Sequence, residues 1–181
     1  VESITRNIGI RSIVFAQALA EPATDVWINP PRGSLAWLLT EAKSAVASGN
    51  VEKCADLLRQ TSERLEPASA MEKAEYWHLT GRLCLVRGDG DGASRAFKSA
   101  AETQPQAKYW AAWAESEMRR RFRTDQGQDY SDVLDALPAD ADPALLGVKA
   151  RLLAASRKRA EAIALLDTFE GAESLAARAV V

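Results

Sequence analysis

Histidine is nearly absent from this 181-residue chain, which carries His78 and no other. A histidine pair for metal ligation or for a proton relay is thereby excluded. Cysteine is almost as scarce: Cys54 and Cys84 each sit among apolar residues at helical spacing, with no Cys-x-x-Cys arrangement. Free cysteine is among the most buried residue types, so both read as small core hydrophobes rather than as a disulfide or a metal pair. An excess of one charge is lacking too. Lys and Arg number 23 against 25 Asp and Glu, a net charge of −2, which gives no bulk attraction to nucleic acid or to an anionic membrane surface. No glycine-rich phosphate loop follows a strand-like run, and no serine, cysteine or acid sits in a motif with a base and an orienting partner. No enzyme, cofactor or metal site is expected. β-branched runs are few, while Ala, Leu, Glu, Arg and Lys dominate a chain that is 47% hydrophobic. That composition favours helix almost throughout, and the expected fold class is all-α.

Val1 to Leu19 places Ile4, Ile8, Phe15 and Ala18 on roughly one helix face, interrupted by Arg6 and Arg11. A membrane span needs about 20 nearly uncharged residues, so residues 1–20 are expected to form a packing helix. Pro22, Pro30, Pro31 and Gly33 forbid a continuous helix over 21–33, which reads as a linker. The remaining residues, 34–181, read as one helical repeat domain.

The most informative stretch runs from Ala74 to Pro105. Gly81 is expected where the first helix of a pair is crossed closely by the second, with Ala93, Ala96 and Ala100 allowing the approach and Trp77, Leu83 and Phe97 filling what remains. Gly88 ends the first helix in a left-handed conformation, Asp89 caps the second, and Pro105 closes it. The Gly88-Asp89-Gly90-Asp91-Gly92 run is not a calcium loop, because the ligand positions counted from Asp89 fall on Ala93 and Ala100. Trp110 follows Trp77 by 33 residues, and Pro138 follows Pro105 by 33. Before this unit, Ser34 caps a helix bearing Leu35, Leu38, Leu39, Ala42 and Val46, and a second helix runs from Val51 through Leu65 to Pro67. After it come a helix over about 106–123, a short one near Tyr130 to Leu137, and a pair opened by Asp142 and Pro143 with Leu146, Ala150 and Leu153 on its apolar side. Gly171 and a final helix from Ala172 to Val181 cover the end.

In its spacing, with tryptophan, glycine, turn glycine, alanine, aromatic and closing proline in register, the central unit resembles a tetratricopeptide repeat of about 34 residues. Thr80 and Cys84 depart from the usual leucine and tyrosine. The resemblance implies an α-solenoid of antiparallel helix pairs in a right-handed superhelix, with flanking N- and C-terminal helices. It also implies a non-enzymatic scaffold that binds a peptide or partner protein either in a concave groove lined by the first helices or at an end face. On that register Lys43, His78, Arg82, Lys108, Glu115, Arg119 and Arg151 lie on the groove side, a locally basic set suited to an acidic segment. His78 is expected there as a solvated residue. The asparagine-and-lysine set that clamps a C-terminal carboxylate in some chaperone-binding members is not matched, since Arg82 stands where asparagine would be.

Arg119-Arg120-Arg121-Phe122-Arg123 reads first as a helix C-terminus, where cations are favoured, and second as a contact for an acidic partner or a phosphate-bearing surface. Two other functions fit the sequence. One is a soluble appendage of a larger membrane protein such as an O-antigen ligase or polymerase-type enzyme, with residues 1–19 or a missing upstream segment as the membrane contact. The chain would then lie on the outer side of a bacterial inner membrane rather than in the cytoplasm. The other is a structural subunit of a larger assembly, docking through Trp27 or Trp113.

Overall fold

The computed structural model describes residues 30–124, 129–139 and 142–167, and the readings above that concern residues 1–29 and 168–181 lie outside these. The described residues form eight helices and no strand, an all-α fold: α1 Leu35–Ala47, α2 Val51–Ser62, α3 Ala70–Arg87, α4 Gly90–Thr103, α5 Ala107–Thr124, α6 Ser131–Ala136, α7 Pro143–Ala155 and α8 Arg159–Asp167. Among them no helix is long and apolar enough to cross a membrane.

The helix starts follow from local hydrogen-bonding needs, because the first N–H groups of a helix have no partner within it. Ser34 Oγ accepts from Trp37 N at 3.1 Å, and Asn50 Oδ1 accepts from Lys53 N at 3.1 Å. Ser69 and Glu72 form a reciprocal capping box at the start of α3. Asp89 Oδ1 accepts from Gly92 N at 2.8 Å, and Asp142 Oδ1 from Ala144 N at 2.9 Å, with Pro143 in the first turn. Gly88 closes α3 at φ 79°, a backbone conformation that costs a side-chain-bearing residue about 1 kcal/mol or more. α2 ends at Ser62, short of the expected Leu65. Arg64 Nη1 there donates to Gly33 O at 2.7 Å and pins the turn to the start of α1.

Short turns fold α1 onto α2, α3 onto α4 and α7 onto α8, and each pair packs on the next, α3 on both α1 and α2, α5 on α4 and α7 on α5. The packing is repeat-like. One apolar cluster joins α1, α2 and α3 through Leu38, Leu39, Leu57, Leu58, Leu79 and Leu83. A second runs from α4 to α7 through Phe97, Trp113, Val133, Leu145, Val148 and Leu152. Between them, Ala74, Ala100 and Ala101 surround Tyr109, with Trp77 and Trp110 alongside. The buried stripe of α7 is therefore Leu145, Val148 and Leu152, not the expected Leu146 and Leu153. The reason is that α7 has two neighbours: that stripe faces the cluster shared with α5, while Ala150 and Leu153 meet Ala162 and Leu166 of α8. Trp113 is 6% exposed and already buried in this chain, so it is not available to dock onto an assembly.

The crossing of α3 and α4 is close. A Cβ added at Gly81 would lie 2.7 Å from Phe97 Cε1, and Phe97 is itself 2% exposed with Ala93 and Ala100 fully buried beside it. Gly147, within α7, has nothing within 4 Å of the same imagined atom. Gly81→Ala is expected to lower stability by about 1–3 kcal/mol through overpacking. Gly147→Ala is expected to raise it by about 0.5–1 kcal/mol through helix propensity. Thermal unfolding of the two variants checks both signs.

Candidate functional site

α3 supplies the centre of the site because its residues one and two turns apart share a side. Glu75, His78 and Arg82 follow that spacing, next along the helix surface to the Leu79–Leu83 stripe that packs on α1 and α2. The neighbouring helices bring charge to them. Lys108 Nζ of α5 lies 3.9 Å from Glu75 Oε2 and 4.7 Å from the centre of the Tyr109 ring. The Tyr109 hydroxyl donates to Glu75 Oε2 at 3.1 Å. Lys43 of α1, half-buried, is close enough for its charge to act on His78, as do those of Arg82 and Lys108.

His78 is not the solvated residue expected from the register. It is 4% exposed, with ring centres 5.4 Å from Phe97 and 5.5 Å from Tyr109. The cause is the close α3–α4 crossing, which draws the residues flanking Gly81 into contact with both α4 and α5. Burial pushes the His78 imidazole down to about 4, Glu75 opposes the shift, and the three nearby cations reinforce it, so the ring is neutral at pH 7. Arg82, expected on the groove side, is 7% exposed. Its Nε and Nη2 are closed off from solvent and have no hydrogen-bond partner.

The remaining predicted residues divide. Glu115 of α5 and Arg151 of α7 are paired with each other, so they cancel rather than add to the basic face. Arg119 is half-buried and in no ion pair among the described residues. The structure thus brings the charges of Lys43, Glu75, Arg82 and Lys108 to bear on His78, and pairs Glu115 with Arg151. Glu75 was missed by sequence reasoning, although its place one turn before His78 was a usable signal. Among the described residues no group of three His, Cys, Asp or Glu side chains could hold a metal ion.

The chain matches no family model, no curated protein and no solved structure.

The arginine cluster at the end of α5 has a structural role that neither the helix dipole nor a partner contact anticipated. Glu117, 6% exposed, accepts from the Ser94 hydroxyl, from Arg120 Nε at 3.1 Å and Nη2 at 2.9 Å, and from Arg121 Nε at 3.2 Å. Arg121 continues to Asp132 of α6 and to Asp129 O at 2.7 Å, and Arg120 Nη1 lies 3.7 Å from Asp91 of α4. One buried carboxylate and two guanidinium groups so tie α4, α5 and α6. The sequence signal was present in the spacing of Glu117 to Arg120 and Arg121, three and four residues on. Burial alone would raise the Glu117 carboxyl, but the hydrogen bonds from Arg120 and Ser94 and the charge and hydrogen bonds of the arginines outweigh it and hold it below the usual range.

Both buried groups couple folding to pH. A neutral buried His78 binds no proton in the folded chain between about 4 and its ordinary 6.5, whereas the unfolded chain does, so stability falls as pH drops through that window. The effect amounts to a few kcal/mol, on the order of the 1.4 kcal/mol per pH unit that linkage allows. Glu117 contributes stability that is present above its unfolded value, about 4.3, and is lost as pH falls through its depressed folded value. Urea unfolding across pH 3–7 should show the His78 limb flattened in His78→Phe and the lower limb flattened in Glu117→Gln.

Proposed function

We propose that this chain is a non-enzymatic helical-repeat scaffold, its pairs stacked as in a tetratricopeptide-like right-handed solenoid. On this reading its first helices α1, α3, α5 and α7 hold an acidic segment of a partner protein. The observation that carries the proposal is the meeting of side chains from successive first helices on one side of the stack. Lys43, Arg82 and Lys108 act together on His78, Lys108 reaches back to Glu75, and Arg151 reaches back to Glu115. Such a meeting of residues far apart in sequence supports an array whose first helices lie side by side, which is how repeats build a continuous binding surface. Two of the cations, Lys43 and Arg82, have no carboxylate partner among the described residues, which leaves them as positive charges although the whole molecule is slightly negative.

The test is affinity capture from the source cell with the full chain as bait. Lys43→Glu combined with Arg119→Glu should release the retained partner, since both side chains are partly exposed and neither holds the fold together through an ion pair. Arg59→Glu with Arg95→Glu, on the exposed sides of the second helices α2 and α4, should leave it bound. The reverse pattern would move the contact to the outer side of the stack and contradict the proposal.

A further inference from the structure

The basic run that ends α5, Arg119-Arg120-Arg121-Phe122-Arg123, divides by helix side. Arg120 and Arg121 turn to Glu117, Asp91 and Asp132 and hold α4, α5 and α6 together. Arg119, Phe122 and Arg123, three and four residues apart, share a different side. Arg123 is exposed and Arg119 half-buried, and neither guanidinium has a side-chain hydrogen bond or ion pair among the described residues. Phe122 between them is 73% exposed, the most exposed large apolar side chain described. An aromatic ring at a solvent-facing helix position is no strong helix former and adds nothing to the core. The residues that follow, Thr124-Asp125-Gln126-Gly127-Gln128, offer no apolar side chain to cover it. Steps of three or four residues lead from Lys108 through Ala111, Glu115 and Arg119 to Phe122, so the patch lies at the C-terminal end of the side of α5 that carries the binding face.

We propose that Phe122, Arg119 and Arg123 form the anchoring end of that face, taking a large apolar side chain of the acidic partner segment on the Phe122 ring and its flanking carboxylates on the two guanidinium groups. The inference rests on the binding face proposed above and adds to it the need for an apolar residue among the acids. The division of labour follows from exposure. Covering the ring removes apolar surface from water, which drives association, whereas exposed ion pairs contribute little and serve to orient the segment and speed its approach. Aromatic rings and arginines are also the groups on which protein interfaces concentrate their binding energy. An anionic lipid surface would meet the same ring and the same two cations. It would meet α6 as well, where Asp129, Asp132 and Asp135 are exposed beside the end of α5 and Arg121 holds Asp132. A single narrow segment need not approach those acids, so charge favours a peptide over a membrane.

Calorimetric titration of the full chain tests this with three acetylated and amidated peptides: a leucine within a short run of glutamates, the same peptide with alanine for leucine, and the leucine peptide with glutamines for glutamates. Vesicles of phosphatidylcholine and phosphatidylserine are the fourth probe. The wild type is expected to bind the leucine–glutamate peptide about tenfold more tightly than the alanine one, and to bind neither the glutamine peptide nor the vesicles. Phe122→Ser should abolish the preference for leucine, Phe122→Leu should keep most of it, and Arg119→Gln/Arg123→Gln should weaken binding of both glutamate peptides. Melting temperatures should stay unchanged in all three variants, since none of these side chains holds another element in place. Wild-type affinity and leucine preference in Phe122→Ser would overturn the anchor, and equal binding of the glutamine peptide would overturn the role of charge. Vesicle binding that is lost in Phe122→Ser would assign the patch to a membrane instead. A wild type that binds no peptide would overturn the inference. In the capture experiment, a partner released by Lys43→Glu/Arg119→Glu but retained by Phe122→Ser would leave the face standing and overturn this inference alone.

Discussion

The close crossing of α3 and α4 at Gly81 governs what the rest of the molecule can do. With no Cβ at Gly81, the Phe97 ring lies flush against the α3 backbone, and the alanines Ala93, Ala96 and Ala100 hold α4 at that distance. The same approach sets His78 between Phe97 and Tyr109 and so fixes where α5 sits relative to α3. A larger spacing would leave His78 in water and open a gap around Tyr109, which is 1% exposed. The burial of His78 is thus a consequence of a packing contact one turn along the same side of the helix.

Charge is handled in two ways along the stack. Toward the C-terminal end it is satisfied internally: Glu117 is surrounded by donors, Asp132 takes Arg121, and Glu115 takes Arg151. Such buried networks fix geometry more than they add stability, since desolvation offsets most of the Coulomb attraction. Around α3 the balance is different. Glu75 satisfies Lys108, whereas Lys43 and Arg82 remain without a counter-charge from the described residues. The fold closes its electrostatics where helices must be held and leaves them open where the first helices of two pairs meet.

Much of this was legible in the sequence because it depends on local rules. Caps at Ser34, Asp89 and Asp142, the left-handed Gly88 and the Gly81–Phe97 contact each follow from one residue's own stereochemistry and the helix period. What was not legible depends on distances between helices. Periodicity placed His78 and Arg82 on one side of α3 but did not report their burial, which for His78 depends on how closely Phe97 of α4 and Tyr109 of α5 approach it. It likewise showed α7 as amphipathic without showing that two neighbours divide its apolar surface. The arginine cluster was visible, but its partners Asp91 and Asp132 come from helices whose approach no spacing rule reports.

Amide hydrogen exchange on the chain with and without its captured partner tests the central claim most directly, since it reports which helices the partner covers. Added protection is expected along α1, α3 and α5, strongest in the turns of α3 that carry His78 and Arg82, with α2 and α4 unchanged. Protection confined to α2 and α4, or to one end of the stack, would contradict the account.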